Sequence, residues 1–156
     1  MQNTPTFPIQ LPEGAEPDRL RDALQHLLTR VIDARDGHDA MLKRAEPKIA
    51  PLIRKFREEH HEHAERITAL LAAVGGKPDA TGSLMGNVNK AVVSLRALFD
   101  DLDDDVLGQV ADGEDNVLEA FDDAMSEASE GRHREDLASM RAELEALVGE
   151  ARRMAD

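Results

Sequence analysis

The sequence contains the tetrapeptide Asp36-Gly37-His38-Asp39 and, 76 residues later, the closely similar Asp112-Gly113-Glu114-Asp115. Each copy lies within a long segment whose apolar residues recur every three or four positions, the spacing of one face of an α-helix. A glycine inside a helix costs about 1 kcal/mol relative to alanine, so its presence in both copies indicates a shared reason. The repeat predicts two similar helical hairpins.

The composition also favours helices. The 156-residue chain is 41% hydrophobic and 33% charged, and its only aromatic residues are four phenylalanines. β-Branched residues are sparse, whereas alanine, leucine, glutamate and arginine, which are good helix formers, are abundant. There is no cysteine, no apolar run approaching the roughly 20 residues that cross a bilayer, and no signal-peptide pattern. We therefore expect a cytoplasmic, all-α protein.

The formal net charge of −13 bears on the class of partner. Phosphates of nucleic acids and anionic lipid headgroups would be repelled by such a chain, so neither partner is expected. Cations and basic proteins remain compatible with this charge. Solubility alone is the simpler explanation of the acidic surface.

The chain divides into an N-terminal arm and a helical domain. Residues 1–17 contain four prolines and little hydrophobic periodicity, which predicts an extended or disordered arm before a bundle at residues 18–156. Helix-breaking residues then punctuate the pattern at Pro47, Gly75-Gly76 and Gly131. The predicted long helices cover about 18–45, 47–74, 103–128 and 133–154, and a shorter helix covers about 83–99.

The lengths of the connections predict the topology. Short links join the first helix to the second and the third to the fourth, so each of these pairs should be antiparallel neighbours. The connection at residues 77–102 is long enough to run the length of a bundle. An up-down-up-down bundle does not need such a connection. The expected fold is an all-α, antiparallel four-helix bundle whose long second crossover carries a short extra helix.

Polar residues interrupt the apolar faces of three predicted helices. Helical spacing turns His38, His60, His63 and Glu114 inward and leaves Glu59 at the edge of its face, whereas the inward face of the fourth helix is apolar. An unpaired buried charge is costly, so these groups should meet one another, water or a metal ion. Imidazole and carboxylate groups suit Zn, Mn, Fe, Ni or Cu. A metal-free histidine–glutamate hydrogen-bond network is the alternative.

Other clusters are less informative. Glu58 and His61 have the Glu-x-x-His spacing of di-iron bundles, but the pair points about a third of a turn away from the apolar face. The acidic residues 100–105 lack the order of a calcium-binding loop and fit the start of a helix. No nucleophile elbow and no phosphate-binding glycine loop occurs. No catalytic residue is predicted, and enzymatic activity is not expected.

The chain resembles bacterial four-helix-bundle proteins of unknown function in the ferritin-like superfamily. The resemblance spans roughly residues 20–155 and is carried by Asp36-Gly37, by Gly75-Gly76-Lys77-Pro78 with Thr81-Gly82-Ser83-Leu84, and by Gly113-Glu114-Asp115. It implies a ferritin-like fold and a metal-competent scaffold whose members have no settled biochemical role.

The chain departs from the ferritin-like di-iron pattern, which has a glutamate on two helices and Glu-x-x-His on the other two. Glu114 matches the glutamate of the third helix, but His38 stands where the first would carry a glutamate. The fourth helix has no Glu-x-x-His and carries Leu137 and Met140 on its inward face. A symmetric ferroxidase centre is therefore not expected, and a single asymmetric site or no site is favoured.

Two functions follow from these observations. The favoured one is a non-catalytic, metal-free bundle, in a structural, stress-related or partner-binding role and dimeric as such bundles commonly are. The alternative is a bundle that binds one divalent ion of Zn, Mn or Fe without ferroxidase activity. Its ligands would be His38, His60, His63 and Glu114, with Glu59 in reserve.

Overall fold

A computed structural model describes residues 15–82 and 104–156 of the chain. These residues form four α-helices: α1 (Ala15–Leu42), α2 (Ala50–Ala73), α3 (Val106–Glu127) and α4 (Arg132–Ala155). No β-strand occurs in these two ranges, so the predicted all-α class is confirmed. Within the same ranges, no helix combines the length and apolar character needed to cross a membrane.

The predicted helix boundaries differ from the observed ones by a few residues. Helix α1 begins at Ala15, inside the predicted arm, because Pro17 is tolerated in a first turn whose N–H groups lack intrahelical partners. Helix α3 begins at Val106 rather than near residue 103. The rest of the predicted arm, residues 1–14, and the predicted short helix at 83–99 lie outside the described residues.

Glycine ends helix α2 as the sequence predicts. Gly75 has φ of +84°, a conformation that residues with a Cβ rarely adopt. The next amide, of Gly76, donates to the carbonyl of Leu71 at 2.9 Å and so satisfies one of the free carbonyls at the helix end.

Contacts at the helix ends show how the first two helices lie. Arg21, near the start of α1, donates to the carbonyl of Val74, which directly follows α2. At the opposite end, Arg57 in α2 pairs with Asp39 near the end of α1. Residues near both ends of α1 therefore contact α2 or the residue that follows it.

The other two helices are joined in the same way. Arg141 in α4 pairs with Asp122 in α3, and Arg152, near the end of α4, pairs with Asp115. In addition, α1 packs against α3 and α2 packs against α4, so each helix contacts two others.

The chain that follows α2 turns back along α1. Asp79 exchanges two hydrogen bonds with the Gln25 side chain, at 2.9 and 3.0 Å. Gly82, with φ of +71°, lies so close to α1 that a Cβ would be 2.9 Å from both Ile32 Cγ2 and Asp33 Oδ1. The start of the connection to α3 is thus held against the middle of α1.

The core is formed by the apolar faces of all four helices. Its largest fully buried side chains are Phe56 and Phe121, surrounded by leucine and isoleucine. Burying such a side chain stabilises the fold by about 1.5–3 kcal/mol. Among the described residues, four polar ones lie inside this core, and each was predicted to point inward: His38 (5% exposed), His60 (0%), His63 (0%) and Glu114 (3%).

Candidate metal centre

Three buried side chains from three helices meet at one point in the bundle. Nε2 of His38 in α1 lies 2.5 Å from Oε1 of Glu114 in α3. Nε2 of His60 in α2 lies 2.9 Å from both carboxylate oxygens. Each residue offers one ligand atom within 4.8 Å of the other two, so a single ion can reach all three.

The repeated tetrapeptide supplies two of these three groups. His38 follows Gly37 in α1, and Glu114 follows Gly113 in α3. Because α1 and α3 pack together, the two copies lie opposite each other and their polar residues meet. The two copies of the tetrapeptide are therefore similar in sequence and also face each other in the structure.

The charges of this group suit a metal ion. Burial by itself raises the pKa of Glu114, but His60 and His38 outweigh that effect and hold the pKa at about 2. Burial lowers the pKa of His38 despite the opposing effect of Glu114. At neutral pH the carboxylate is ionised and His38 is a neutral imidazole, which are the forms that bind metals.

The two Nδ1 atoms that do not face Glu114 differ between a metal-free site and a metal-loaded site. Nδ1 of His38 and Nδ1 of His60 are buried, and neither has a hydrogen-bond partner among the described residues. In the metal-free network, the Nε2–H of the neutral His38 ring donates to Glu114, and Nδ1 of that ring is a bare lone pair. When an ion occupies Nε2, the proton of a neutral ring moves to Nδ1, where metal-binding histidines usually donate it.

Stacking fixes the orientation of the two imidazoles. The ring of His38 packs against both Phe56, at a centroid distance of 5.1 Å, and His60, at 5.6 Å, and the Phe56 and His60 rings lie 6.4 Å from each other. The two histidine rings are nearly parallel, with an interplanar angle of 4°. The donor atoms are thus held in place before any ion arrives.

His63 is buried on the same face of α2 but pairs with a different carboxylate. Its Nε2 lies 2.7 Å from Oε2 of Glu143 in α4, and the same oxygen accepts from Arg66 at 3.1 Å. Burial lowers the pKa of His63, although Glu143 acts in the opposite direction. The structure therefore brings His38, His60 and Glu114 together and places His63 in a separate pair.

Glu143 is the residue that the sequence analysis missed. The buried residues of α4 are apolar, as predicted, but the Glu143 side chain remains 42% exposed and reaches His63 from the edge of that face. Its position three residues after Met140 was the available signal, because residues three apart share a side of a helix.

Comparison with known protein families identifies the family to which the chain belongs. Residues 19–127 match the family described as "Domain of unknown function (DUF2383)", and this match covers more than half of the chain. The chain belongs to the DUF2383 family. No curated protein and no solved structure matches it.

The DUF2383 match includes the whole three-residue cluster. His38, His60 and Glu114 lie inside the matched range, which ends at the last residue of α3. Glu143, the partner of His63, lies beyond it in α4. The cluster therefore belongs to the DUF2383 part of the chain, and the second pair spans that part and the following helix.

The remaining predicted ligand of this DUF2383 protein, Glu59, lies beside the cluster but outside it. Its side chain is half-buried, and Oε1 has no hydrogen-bond partner among the described residues. Burial, followed by repulsion from Glu143 and other carboxylates, raises the pKa of Glu59 to about 7. Glu59 thus holds a proton near neutral pH when no cation is present.

Replacing Glu59 with glutamine is expected to stabilise the metal-free protein at pH 8 and to have much less effect at pH 5. Because the folded-state pKa is raised, the folded protein binds this proton more tightly, and stability is lost as the pH rises from about 4.5 through 7. The gain at pH 8 should be about 1 kcal/mol, since partial exposure screens much of the effect. Urea denaturation of Glu59→Gln measures it, with exposed Glu58→Gln as the matched control. An equal effect at both pH values would contradict the prediction.

Proposed function

We propose that this DUF2383 protein binds one divalent metal ion through His38, His60 and Glu114. The observation that carries the proposal is the convergence of three buried donors, from three helices, at one point. Two imidazole nitrogens and one carboxylate form a ligand set that suits Zn, Mn or Fe. The helices that position them would form the ferritin-like antiparallel bundle expected from the sequence.

The coordination would be asymmetric and would leave a position open. Three protein ligands resemble the arrangement of catalytic zinc sites, where a fourth position holds water or a further ligand. A di-iron centre of the ferritin-like kind needs Glu-x-x-His on two helices, and α4 offers only Glu143 at the edge of the core. We therefore propose a single ion and no ferroxidase activity.

Binding requires a small rearrangement of the carboxylate. Ligand atoms around a tetrahedral zinc ion lie about 3.3 Å apart, as follows from bond lengths near 2.0–2.1 Å. The contacts of Glu114 with His38 and His60, at 2.5 and 2.9 Å, are direct hydrogen bonds. An ion entering the cluster would displace the shared protons and lengthen these two contacts to about 3.3 Å, by roughly 0.8 Å at His38 and roughly 0.4 Å at His60.

A metal-free structural module is the second candidate function. The direct hydrogen bonds and the absence of an acceptor for Nδ1 of His38 and His60 among the described residues favour it. In this role the cluster would only fix how α1, α2 and α3 pack. The homodimer and the cytoplasmic location expected from the sequence stay predictions under either function.

Metal titration separates the two functions. Protein dialysed against a chelator is expected to take up one equivalent of Zn²⁺, Mn²⁺ or Fe²⁺, and ion at 100 times Kd should add about 2.7 kcal/mol to the free energy of unfolding. Calorimetric titration and thermal melting measure both quantities. His60→Ala should abolish uptake, whereas exposed His61→Ala is the matched control. No uptake of any of these ions would contradict the proposal.

The role of His63 is tested in the same titration. If the ion uses the three-residue cluster alone, His63→Ala keeps the stoichiometry and changes affinity little. Loss of uptake in His63→Ala would instead favour the wider ligand set predicted from the sequence.

A further inference from the structure

A groove between α1 and α3 leads to the three-residue cluster. Its volume is about 350 Å³, and both His38 and Glu114 line it, whereas His60 does not. Five of its other lining side chains are apolar, among them Ala34, Met41 and Val110, and four are polar. The groove therefore combines apolar side chains with two of the proposed metal ligands.

Both glycines of the repeat line this groove. A Cβ built at Gly37 or at Gly113 would meet no atom within 4 Å, so close packing of the described residues does not account for either glycine. Each glycine lowers the equilibrium constant for helix formation about fivefold relative to alanine. What they have in common is that they leave space next to His38 and Glu114.

The cluster also contains a polar group that the described chain does not satisfy. His38 is 5% exposed, lines the groove and has a buried Nδ1 without a partner among the described residues. A divalent ion held by two neutral imidazoles and one carboxylate keeps one positive charge and an open coordination position. Arg30 and Asp33 at the groove carry opposite charges and offset each other.

We infer that the groove binds a small monocarboxylate with a short hydrocarbon tail, whose carboxylate completes the coordination of the metal ion. This inference rests on the proposed metal-binding function. The anion neutralises the remaining charge, and the tail lies between α1 and α3, above Gly37 and Gly113. The net charge of −13 opposes anions at long range, so the hydrocarbon contact must supply much of the affinity.

The test uses the full chain loaded with Co²⁺, whose visible absorption spectrum reports changes in coordination. Acetate, butyrate, hexanoate and octanoate are titrated in turn. We expect each to change the spectrum, and we expect affinity to increase about fourfold for each added methylene that is buried. This series on the unaltered protein does not depend on how any variant folds.

Leucine substitutions at the two glycines test where the hydrocarbon tail of the carboxylate binds. Gly37→Leu and Gly113→Leu fill the groove and should weaken hexanoate binding at least tenfold while Co²⁺ uptake is unchanged. Gly108→Leu is the matched control, because Gly108 is also in α3, also has open space around its missing Cβ, and does not line the groove. Circular dichroism checks that each variant is folded.

The possible failures are distinguishable. If the protein takes up Co²⁺ but its spectrum does not change on addition of any of the four carboxylates, this inference is overturned and the proposed function stands. Binding that is independent of tail length and of the leucine variants also overturns it, since the groove would then play no part. If the leucine variants change only the oligomeric state, the groove is an interface between copies of the chain. This result would also overturn the inference. Absence of Co²⁺ uptake overturns both proposals.

Discussion

Replacing Glu114 with alanine is expected to lower the free energy of unfolding of the metal-free protein by about 3–5 kcal/mol, because two buried imidazoles lose their hydrogen-bond partner at a cost of about 1–3 kcal/mol each. The carboxylate is 3% exposed and is the hydrogen-bond partner of both His38 and His60. Alanine leaves both Nε2 atoms buried without a partner and opens a cavity between α1 and α3.

Urea denaturation at pH 7 in the presence of a chelator measures the effect. Glu119→Ala is the matched control, because Glu119 is an exposed glutamate one and a half turns further along α3, and its loss should change stability by less than about 0.5 kcal/mol. A cost for Glu114→Ala similar to that of the control would show that the cluster adds nothing to the fold.

A triple variant with a fully apolar cluster tests why Glu114→Ala is expected to lose so much stability. With leucine at His38, His60 and Glu114 together, the cluster has no polar atom left to pair, and the fold should recover most of the lost stability. Recovery would mean that the native chain keeps these three residues for a reason other than stability. That result would support a metal-binding role, whereas a further loss would favour the structural module.

Sequence periodicity was sufficient to predict most of the fold. The four helices, the glycine stop after α2 and the inward direction of four polar side chains all follow from the spacing of apolar residues. Helical spacing fixes the direction of a side chain accurately because each residue turns the helix by a fixed angle. For the same reason the two copies of the tetrapeptide could be placed on the core faces of their helices.

Periodicity could not predict which polar side chains meet. His60 and His63 share a face of α2 but lie about 4.5 Å apart along its axis, given a rise of 1.5 Å per residue. That distance is enough to bring His60 to Glu114 and His63 to Glu143. The relative heights of helices depend on packing across the core, which a single helical pattern does not contain. Glu143 was missed because a long side chain can reach inward from an exposed position.

Acid is expected to remove about 3 kcal/mol of stability from the metal-free protein through Glu114 alone between about pH 5 and pH 2. Burial raises the pKa of this carboxyl, but His60 and His38 more than compensate and hold the folded-state pKa at about 2, against an ordinary value of 4.5. As the pH falls, the unfolded chain therefore takes up this proton first. The stabilisation is complete above pH 4.5 and is lost as the pH approaches the folded-state pKa.

The histidines extend the same trend to higher pH. Burial lowers the pKa of both His38 and His63, so the unfolded chain also binds these protons first, and stability begins to fall below about pH 6.5. Comparing the wild type with Glu114→Gln tests the carboxyl, because the glutamine variant retains the histidines and has no proton to gain at position 114. Without the carboxylate the pKa of His38 falls further, so the comparison is read below pH 5, where the carboxyl itself titrates. The stability difference between the two proteins should be constant near pH 7 and should shrink towards zero near pH 2. A difference that does not vary with pH would mean that the folded-state pKa of Glu114 equals its unfolded value. A wild type that instead loses stability relative to the variant as the pH rises above about 4.5 would mean that Glu114 stays protonated in the folded protein, and a neutral carboxyl would be a poor ligand for the ion proposed here.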